Sequence, residues 1–159
     1  MPPPDEDAFR RRRDAALGET CPFERALLVR CAACSLARSV LLAEREAIGC
    51  VSRAASERCG RYRDALRKAA RFALRADPSA PWPFLKEIRL QCGGLIGLRD
   101  ALGEHDGSSA VGAAEPGPVA DADALLRRAL QCHGSLDALP FSRIIRAVIR
   151  HEPRRRAPR

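Results

Sequence analysis

The amino-acid sequence predicts an all-α fold, a small helical bundle built on a long N-terminal helical hairpin. The first observation behind this prediction is the stretch Phe23 to Ile48, in which apolar residues recur every seven positions, as on the buried face of an amphipathic helix. The second is composition: hydrophobic residues make up 46% of the 159 residues but aromatic residues only 4%. Such a core is built from small aliphatic side chains, and alanine favours helices. The residues of the repeating face are Leu27, Cys34, Leu41 and Ile48.

The second helix of the predicted hairpin follows a short turn. Gly49 is expected to end the first helix, because glycine tolerates the left-handed conformation that often closes a helix. Ser52 is a good N-cap for the next helix, which we expect to run to about Ala76. Its apolar stripe has helical spacing of three and four residues and consists of Ala55, Cys59, Tyr62, Leu66, Ala69 and Ala73.

Three further helices are expected after a rigid connection at residues 77–83, where three prolines forbid a helix. The third helix starts at Phe84 and carries apolar residues at helical spacing to Leu102. Residues 103–119 are rich in helix breakers and predict a mobile loop. A fourth helix, capped by Asp121, is expected to end near Gly134, and a fifth follows Phe141.

Glycine is concentrated in the third predicted helix, at Gly93, Gly94 and Gly97. Each glycine costs a helix interior up to about 1 kcal/mol relative to alanine. Three of them within five positions therefore indicate a close backbone approach, which either packs a neighbouring helix or leaves room for a bound group.

The chain length fits one domain with disordered ends. We expect a flexible N-terminal tail at residues 1–18, a single helical domain at 19–150 and a basic C-terminal tail at 151–159. No run reaches the roughly 20 apolar residues that cross a membrane, and the start of the chain lacks the features of a secretory signal. The cytoplasm is the expected location, where thiols stay reduced and clustered cysteines act as ligands or catalysts more often than as disulfides.

Five of the seven cysteines lie within 39 residues. Thiolates are soft ligands that suit zinc and iron–sulfur clusters. The Cys31-Ala-Ala-Cys34 pair would place two sulfurs on one side of a helical turn, although the overall spacing matches no ferredoxin or zinc-finger pattern. The candidate ligands of a metal or iron–sulfur cluster, with zinc as the alternative to the cluster, are Cys21, Cys31, Cys34, Cys50 and Cys59.

Geometry limits this hypothesis. On one straight helix, Cys34 and Cys50 would lie roughly 24 Å apart, so a single site requires a break near residues 31–35 or 48–52. Two alternatives stay open: the cysteines pack as small apolar groups, or they are redox-active thiols. Cys92 is a spare ligand candidate.

The sequence offers no convincing enzyme active site, since its histidines, His105, His133 and His151, all lie outside the cysteine-rich stretch. An electron-transfer, redox-sensing or cofactor-maturation protein is therefore the favoured class. The alternative is a basic helical module that binds a protein or nucleic acid and whose cysteines are structural.

The formal net charge of +8 points to an acidic partner. Arg143, Arg146 and Arg150 line one side of the fifth predicted helix and continue into the basic tail. We expect this strip to bind another protein, with nucleic acid as the second candidate.

Four segments of the chain resemble a family of small uncharacterised proteobacterial proteins with clustered cysteines that are suspected to bind iron–sulfur clusters. The segments are Cys21-Pro-Phe-Glu-Arg-Ala-Leu, Leu42-Ala-Glu-Arg-Glu through Gly49-Cys50, Leu90-Gln-Cys-Gly-Gly-Leu-Ile-Gly-Leu98 and Gly134-Ser-Leu-Asp-Ala-Leu-Pro-Phe141. This resemblance covers most of residues 21–150. It implies a cluster in an anaerobic or respiratory setting and implies no particular reaction.

Overall fold

The computed structural model describes residues 5–77, 79–105 and 117–153. Within these ranges the chain forms six α-helices and one two-stranded antiparallel sheet. The all-α prediction is therefore wrong, because two strands stand where the first long helix was expected. In chain order the elements are α1 (Glu6–Leu17), α2 (Glu24–Leu28), β1 (Ala37–Leu42), β2 (Arg45–Cys50), α3 (Arg53–Ala70), α4 (Phe84–His105), α5 (Ala122–His133) and α6 (Phe141–Arg150).

The predicted helix from Phe23 to Ile48 stops at its second turn. Arg30 adopts a positive φ of 65°, and the amide of Cys31 donates to the carbonyl of Ala26 at 3.1 Å. This is the hydrogen-bond pattern that closes a helix, usually with glycine at the left-handed position. Because arginine stands there, the sequence carries no glycine signal for the end of α2.

A tight hairpin replaces the rest of that predicted helix. Leu42 lies opposite Arg45 in the antiparallel register, which leaves Ala43 and Glu44 as a two-residue loop. Both have positive φ, 47° and 67°, as a type I′ hairpin turn requires. Such turns usually read Asn-Gly, so the seven-residue apolar repeat was the stronger sequence signal and gave the wrong element.

The segment expected as a flexible tail contains α1. The Asp5 carboxylate caps this helix by accepting from the amides of Asp7 and Ala8, at 3.1 and 3.0 Å. α1 packs on the hairpin through Arg45, which pairs with Glu6 at 3.1 Å and covers the ring of Phe9. Residues 1–4 lie outside the described ranges.

Two predicted helix caps are confirmed. The Ser52 hydroxyl accepts from the amide of Ala55 at 3.2 Å and starts α3, and the Asp121 carboxylate accepts from the amide of Ala124 at 3.3 Å and starts α5. α3 ends at Ala70, several residues before the predicted end. A serine or aspartate cap fixes its helix start locally, so these starts were readable from the sequence.

α4 lies at the centre of the fold, and its glycines allow close packing on two sides. A Cβ atom on Gly93 would come within 2.5 Å of the Cα of Val148 in α6. On Gly94 it would meet the Cδ1 atom of Leu66 in α3, also at 2.5 Å. The fully buried Tyr62 of α3 donates its hydroxyl to the Gly94 carbonyl at 2.7 Å. The predicted close approach is therefore made by α6 and α3.

The expected loop at 103–119 falls mostly outside the described ranges. Its first residues belong to α4, which ends at His105, and its last residues are ordered by pairing. The amide of Val119 donates to the Cys31 carbonyl at 3.0 Å, and the Val119 carbonyl accepts from Ala33 at 2.9 Å. Within the described residues, none of the helices combines the length and apolar character needed to span a membrane. Residues 154–159 of the predicted basic tail are not described.

Replacement of Gly93 by alanine tests the α4–α6 contact. We expect Gly93→Ala to lower the free energy of unfolding by about 1–3 kcal/mol, because the added methyl group has to displace α6 backbone. Gly103→Ala is the matched control in the same helix, since a Cβ there meets nothing within 4 Å. It should leave stability unchanged or raise it by up to about 1 kcal/mol. Urea unfolding measures both, and equal effects would contradict the close contact.

Candidate functional site

Four cysteines line one small cavity beside the hairpin: Cys21, Cys34, Cys50 and Cys59. The cavity holds about 20 Å³, close to the room that a single enclosed water needs. Apart from these sulfurs, its walls are mainly apolar. These four belong to the five cysteines that the sequence singled out, and they come from separate segments of the chain.

Backbone pairing brings Cys21 and Cys50 together. The residues before α2 run antiparallel to β2, so that the amide of Cys21 donates to the Ile48 carbonyl at 3.1 Å and the amide of Cys50 donates to Glu19 at 2.9 Å. Between these bonds lies Gly49, whose added Cβ would sit 2.7 Å from the Glu19 carbonyl oxygen. Glycine is thus required here for close backbone approach, and its φ is not positive.

The other two cysteines arrive from opposite sides. Cys59 lies in the second turn of α3, whose start is fixed by the Ser52 cap. Cys34 lies in the loop after α2, and this loop is held by the pairing with Val119 and by the Asp121 carboxylate, which accepts from the Ser35 amide at 3.3 Å. The chain therefore breaks at both places where a single site required it to break.

Backbone amides point at two of the sulfurs. The Cys21 sulfur accepts a hydrogen bond from the amide of Phe23, and the Cys34 sulfur accepts from the amides of Leu36 and Asp123. The Asp123 amide belongs to the first turn of α5, where the helix dipole favours negative charge. These donors would stabilise thiolates, and hydrogen bonds to cysteine sulfur are also what tunes a cysteine-ligated centre.

Burial opposes ionisation of three cysteine side chains in the metal-free protein. It raises the pKa of Cys21 to about 12 and, with further repulsion from neighbouring cysteines, raises that of Cys59 to about 12 as well. Burial also raises the pKa of Cys34, against the two amides that lower it. The ordinary thiol pKa is 9.0, so the folded state binds more protons than the unfolded one above that pH. The free energy of unfolding should therefore fall as pH rises from about 9 towards 12.

A buried carboxylate lies at the edge of the cavity. Asp123 is 3% exposed, yet its two oxygens are paired, with Arg58 at 3.0 Å and with Arg127 at 2.9 Å. A buried charge of this kind is tolerated only with such partners. Asp123 itself lines the cavity, and its negative charge adds to the rise in the pKa of Cys34 and Cys59. No sequence motif indicated Asp123, because only the fold brings it near the cysteines.

Cys31 does not share the cavity. It forms a disulfide with Cys92 of α4, with 6.0 Å between the Cα atoms, so neither its place in a five-cysteine ligand set nor the expectation of fully reduced cysteines holds. Among the described residues, no group of three or more His, Cys, Asp or Glu side chains is arranged to hold a metal ion. The described residues thus show no cysteine metal cluster, and the disulfide removes Cys31 from the predicted ligand candidates.

The remaining candidates lie elsewhere or outside the described side chains. Cys132 is free and exposed near the end of α5. The side chain of His105 is not described, and neither His133 nor His151 lines the four-cysteine cavity.

No protein-family model, no curated protein and no solved structure matches the chain.

Differential alkylation tests the burial of the thiols. In the metal-free full-length protein at pH 8, iodoacetamide should modify Cys21 and Cys59 at least about 100-fold more slowly than Cys132, because a pKa near 12 leaves only a trace of thiolate. Pulse labelling, digestion and mass spectrometry give the rate at each position. The urea-unfolded chain is the control, in which all free cysteines should react alike. Equal rates in the folded protein would contradict the buried cavity.

Proposed function

We propose that this protein is a cysteine-ligated metal protein whose four ligands are Cys21, Cys34, Cys50 and Cys59, and that it acts in electron transfer, redox sensing or cofactor maturation. The observation that carries the proposal is the convergence of these four thiols from separate segments on one cavity. A set of four thiols is the donor set of iron–sulfur clusters and of structural zinc sites.

An iron–sulfur cluster is the first candidate for the bound group. It would supply a one-electron carrier, which zinc cannot, because zinc has no redox chemistry in proteins. Support comes from the amides directed at the Cys21 and Cys34 sulfurs and from the resemblance of the chain to suspected iron–sulfur proteins.

Zinc is the second candidate because the cavity is small. About 20 Å³ is room for one water-sized group, and a single zinc ion is nearer to that size than a cluster of several atoms. A cluster requires the cavity walls to move apart. Zinc would make the site a structural tie between the hairpin and α3 rather than a redox centre.

Proton release and charge should influence the binding of either group. Binding releases the thiol protons, so affinity should rise with pH. Four thiolates around a divalent ion carry a net charge of −2, and the backbone amides directed at the Cys21 and Cys34 sulfurs would offset part of it. Since Asp123 is held by both arginines, it is not free to act as a general base, and we favour a non-enzymatic role.

Metal analysis of the full-length protein after anaerobic purification tests this proposal. We expect about one centre per chain, seen as iron with sulfide and visible absorption or as colourless bound zinc. Alanine replacement of any one of the four ligands should abolish or strongly reduce metal content, because three thiolates cannot complete the four-sulfur donor set.

Cys132→Ala is the matched control, since this cysteine is free and exposed, and it should retain full metal content. The double variant Cys31→Ala/Cys92→Ala should also retain metal. This result would show that the four cysteines of the cavity bind metal without the two cysteines of the disulfide. A protein that is folded, colourless and metal-free after anaerobic purification and reconstitution with iron, sulfide or zinc would overturn the proposal.

For the location we propose the cytoplasm, because a reducing compartment keeps four thiols available as ligands. The Cys31–Cys92 disulfide opposes this assignment, so recovery of the native protein from the periplasm instead of the cytosol would refute it.

We also propose that α6 presents a surface to an acidic protein partner. Its inner face is fixed by Ile144 and Val148, both fully buried. Arg143, Arg146 and Arg150 are exposed. Exposed arginines on one side of a helix attract the carboxylates of another chain, where they add association rate and specificity.

Charge removal on α6 tests this surface. We expect Arg146→Gln with Arg150→Gln to weaken binding of a labelled polyglutamate peptide by about three- to tenfold at low salt, as for the loss of two exposed ion pairs. Arg61→Gln, an exposed change on α3, is the control and should have a smaller effect. Fluorescence anisotropy measures the affinities. Binding to duplex DNA but not to the peptide, with a log affinity that falls linearly with log salt concentration, would favour the nucleic-acid alternative instead.

A further inference from the structure

A second depression, which we call the arginine cleft, lies on the other side of Cys21 and Pro22 from the four-cysteine cavity. Its volume is about 520 Å³, within the range of small-molecule sites. Unlike the cavity, it is open and lined by charged side chains. The charged residues that line it are Arg13, Arg25, Arg63, Arg67, Glu24 and Glu87.

Both carboxylates in the cleft already have hydrogen-bond and ion-pair partners within the protein. Glu24 accepts from the amide of Ile48 at 3.0 Å and lies 3.6 Å from Arg13. Glu87 accepts from the Gln91 side chain at 2.9 Å and pairs with Arg67 at 3.3 Å. Four guanidinium groups against two carboxylates leave the cleft with an excess of positive charge.

Arg63 has only a weak carboxylate partner. Its nearest carboxylate, Asp64, lies 4.0 Å away and is 67% exposed, so this ion pair is weak. Its hydrogen bond to the Pro22 carbonyl is long, at 3.5 Å. The Nε atoms of Arg63 and Arg67 are buried and have no hydrogen-bond partner within the described residues. Buried donors without partners are costly, and a missing acceptor is one explanation for them.

We propose that the arginine cleft binds a small dianion with carboxylate or phosphate groups, and that Arg63 is its principal contact. A guanidinium group offers paired donors that match either group. The cleft is open, so that a solute can enter it. Because Glu24 and Glu87 are each paired with an arginine, they repel a bound anion less than free carboxylates would. This proposal does not rest on the bound group of the four-cysteine cavity.

Isothermal titration of the full-length protein with inorganic phosphate, and separately with succinate, tests the proposal at constant ionic strength. We expect saturable binding of at least one of the two, and the better ligand identifies the class. Arg63→Gln should weaken that binding by at least about tenfold, as for the loss of a charged hydrogen bond. Arg63→Lys keeps the charge but lacks the paired donors, so its affinity should lie between those of the wild-type protein and Arg63→Gln.

Arg61→Gln is the matched control, because it removes the same charge from the exposed face of the same helix. It should leave affinity unchanged. Thermal melting checks that each variant is folded; should Arg63→Gln fail to fold, the comparison of Arg63→Lys with Arg61→Gln decides. The proposal is overturned by the absence of saturable binding of either anion, or by equal losses in the Arg61 and Arg63 variants.

Discussion

The short antiparallel pairing between residues 19–21 and β2 is the constraint on which the rest of the molecule depends. It consists of two backbone hydrogen bonds on either side of Gly49. Any side chain at that position would collide with the Glu19 carbonyl. Through this contact the N-terminal segment, the hairpin and α2 become one unit, and Cys21 is set beside Cys50. The four-cysteine cavity follows from it.

Polar and charged groups also lie beside the sulfurs of this otherwise apolar cavity. On one side the amides of residues 23, 36 and 123 point at cysteine sulfurs. On another, Asp123 holds Arg58 and Arg127 in place. Burial and the negative charge of Asp123 favour neutral thiols, whereas the backbone amides favour thiolates. Burial outweighs the amides, so that Cys21, Cys34 and Cys59 resist ionisation in the folded protein.

The sequence predicted the helices after residue 52 well and the segment before them poorly, for a physical reason. α3 and α5 begin at side-chain caps, and a cap is a local interaction that one serine or aspartate reveals. α2 and the hairpin instead end or turn at Arg30, Ala43 and Glu44, which take positive φ without being glycine. Their conformations are imposed by tertiary contacts that no short stretch of sequence records.

The same division applies to the candidate site. The soft chemistry of cysteine made the ligand candidates visible, and four of the five do line one cavity. Spacing could not separate Cys31 from Cys34, because their difference lies in whether α4 or α5 packs against each. The disulfide partner Cys92 and the carboxylate of Asp123 come from distant helices, so their roles depend on the complete fold.

The origin of the cavity walls has a consequence for truncation. All four of its cysteines precede residue 60, so a fragment that ends at the proline-rich connection would retain every sulfur. It would lack Ala122 and Asp123, which line the cavity, and Val119, whose backbone hydrogen bonds hold the Cys34 loop. The cysteine-rich half is thus not an autonomous module, and exchange of this half between proteins would have to carry α5 along with it.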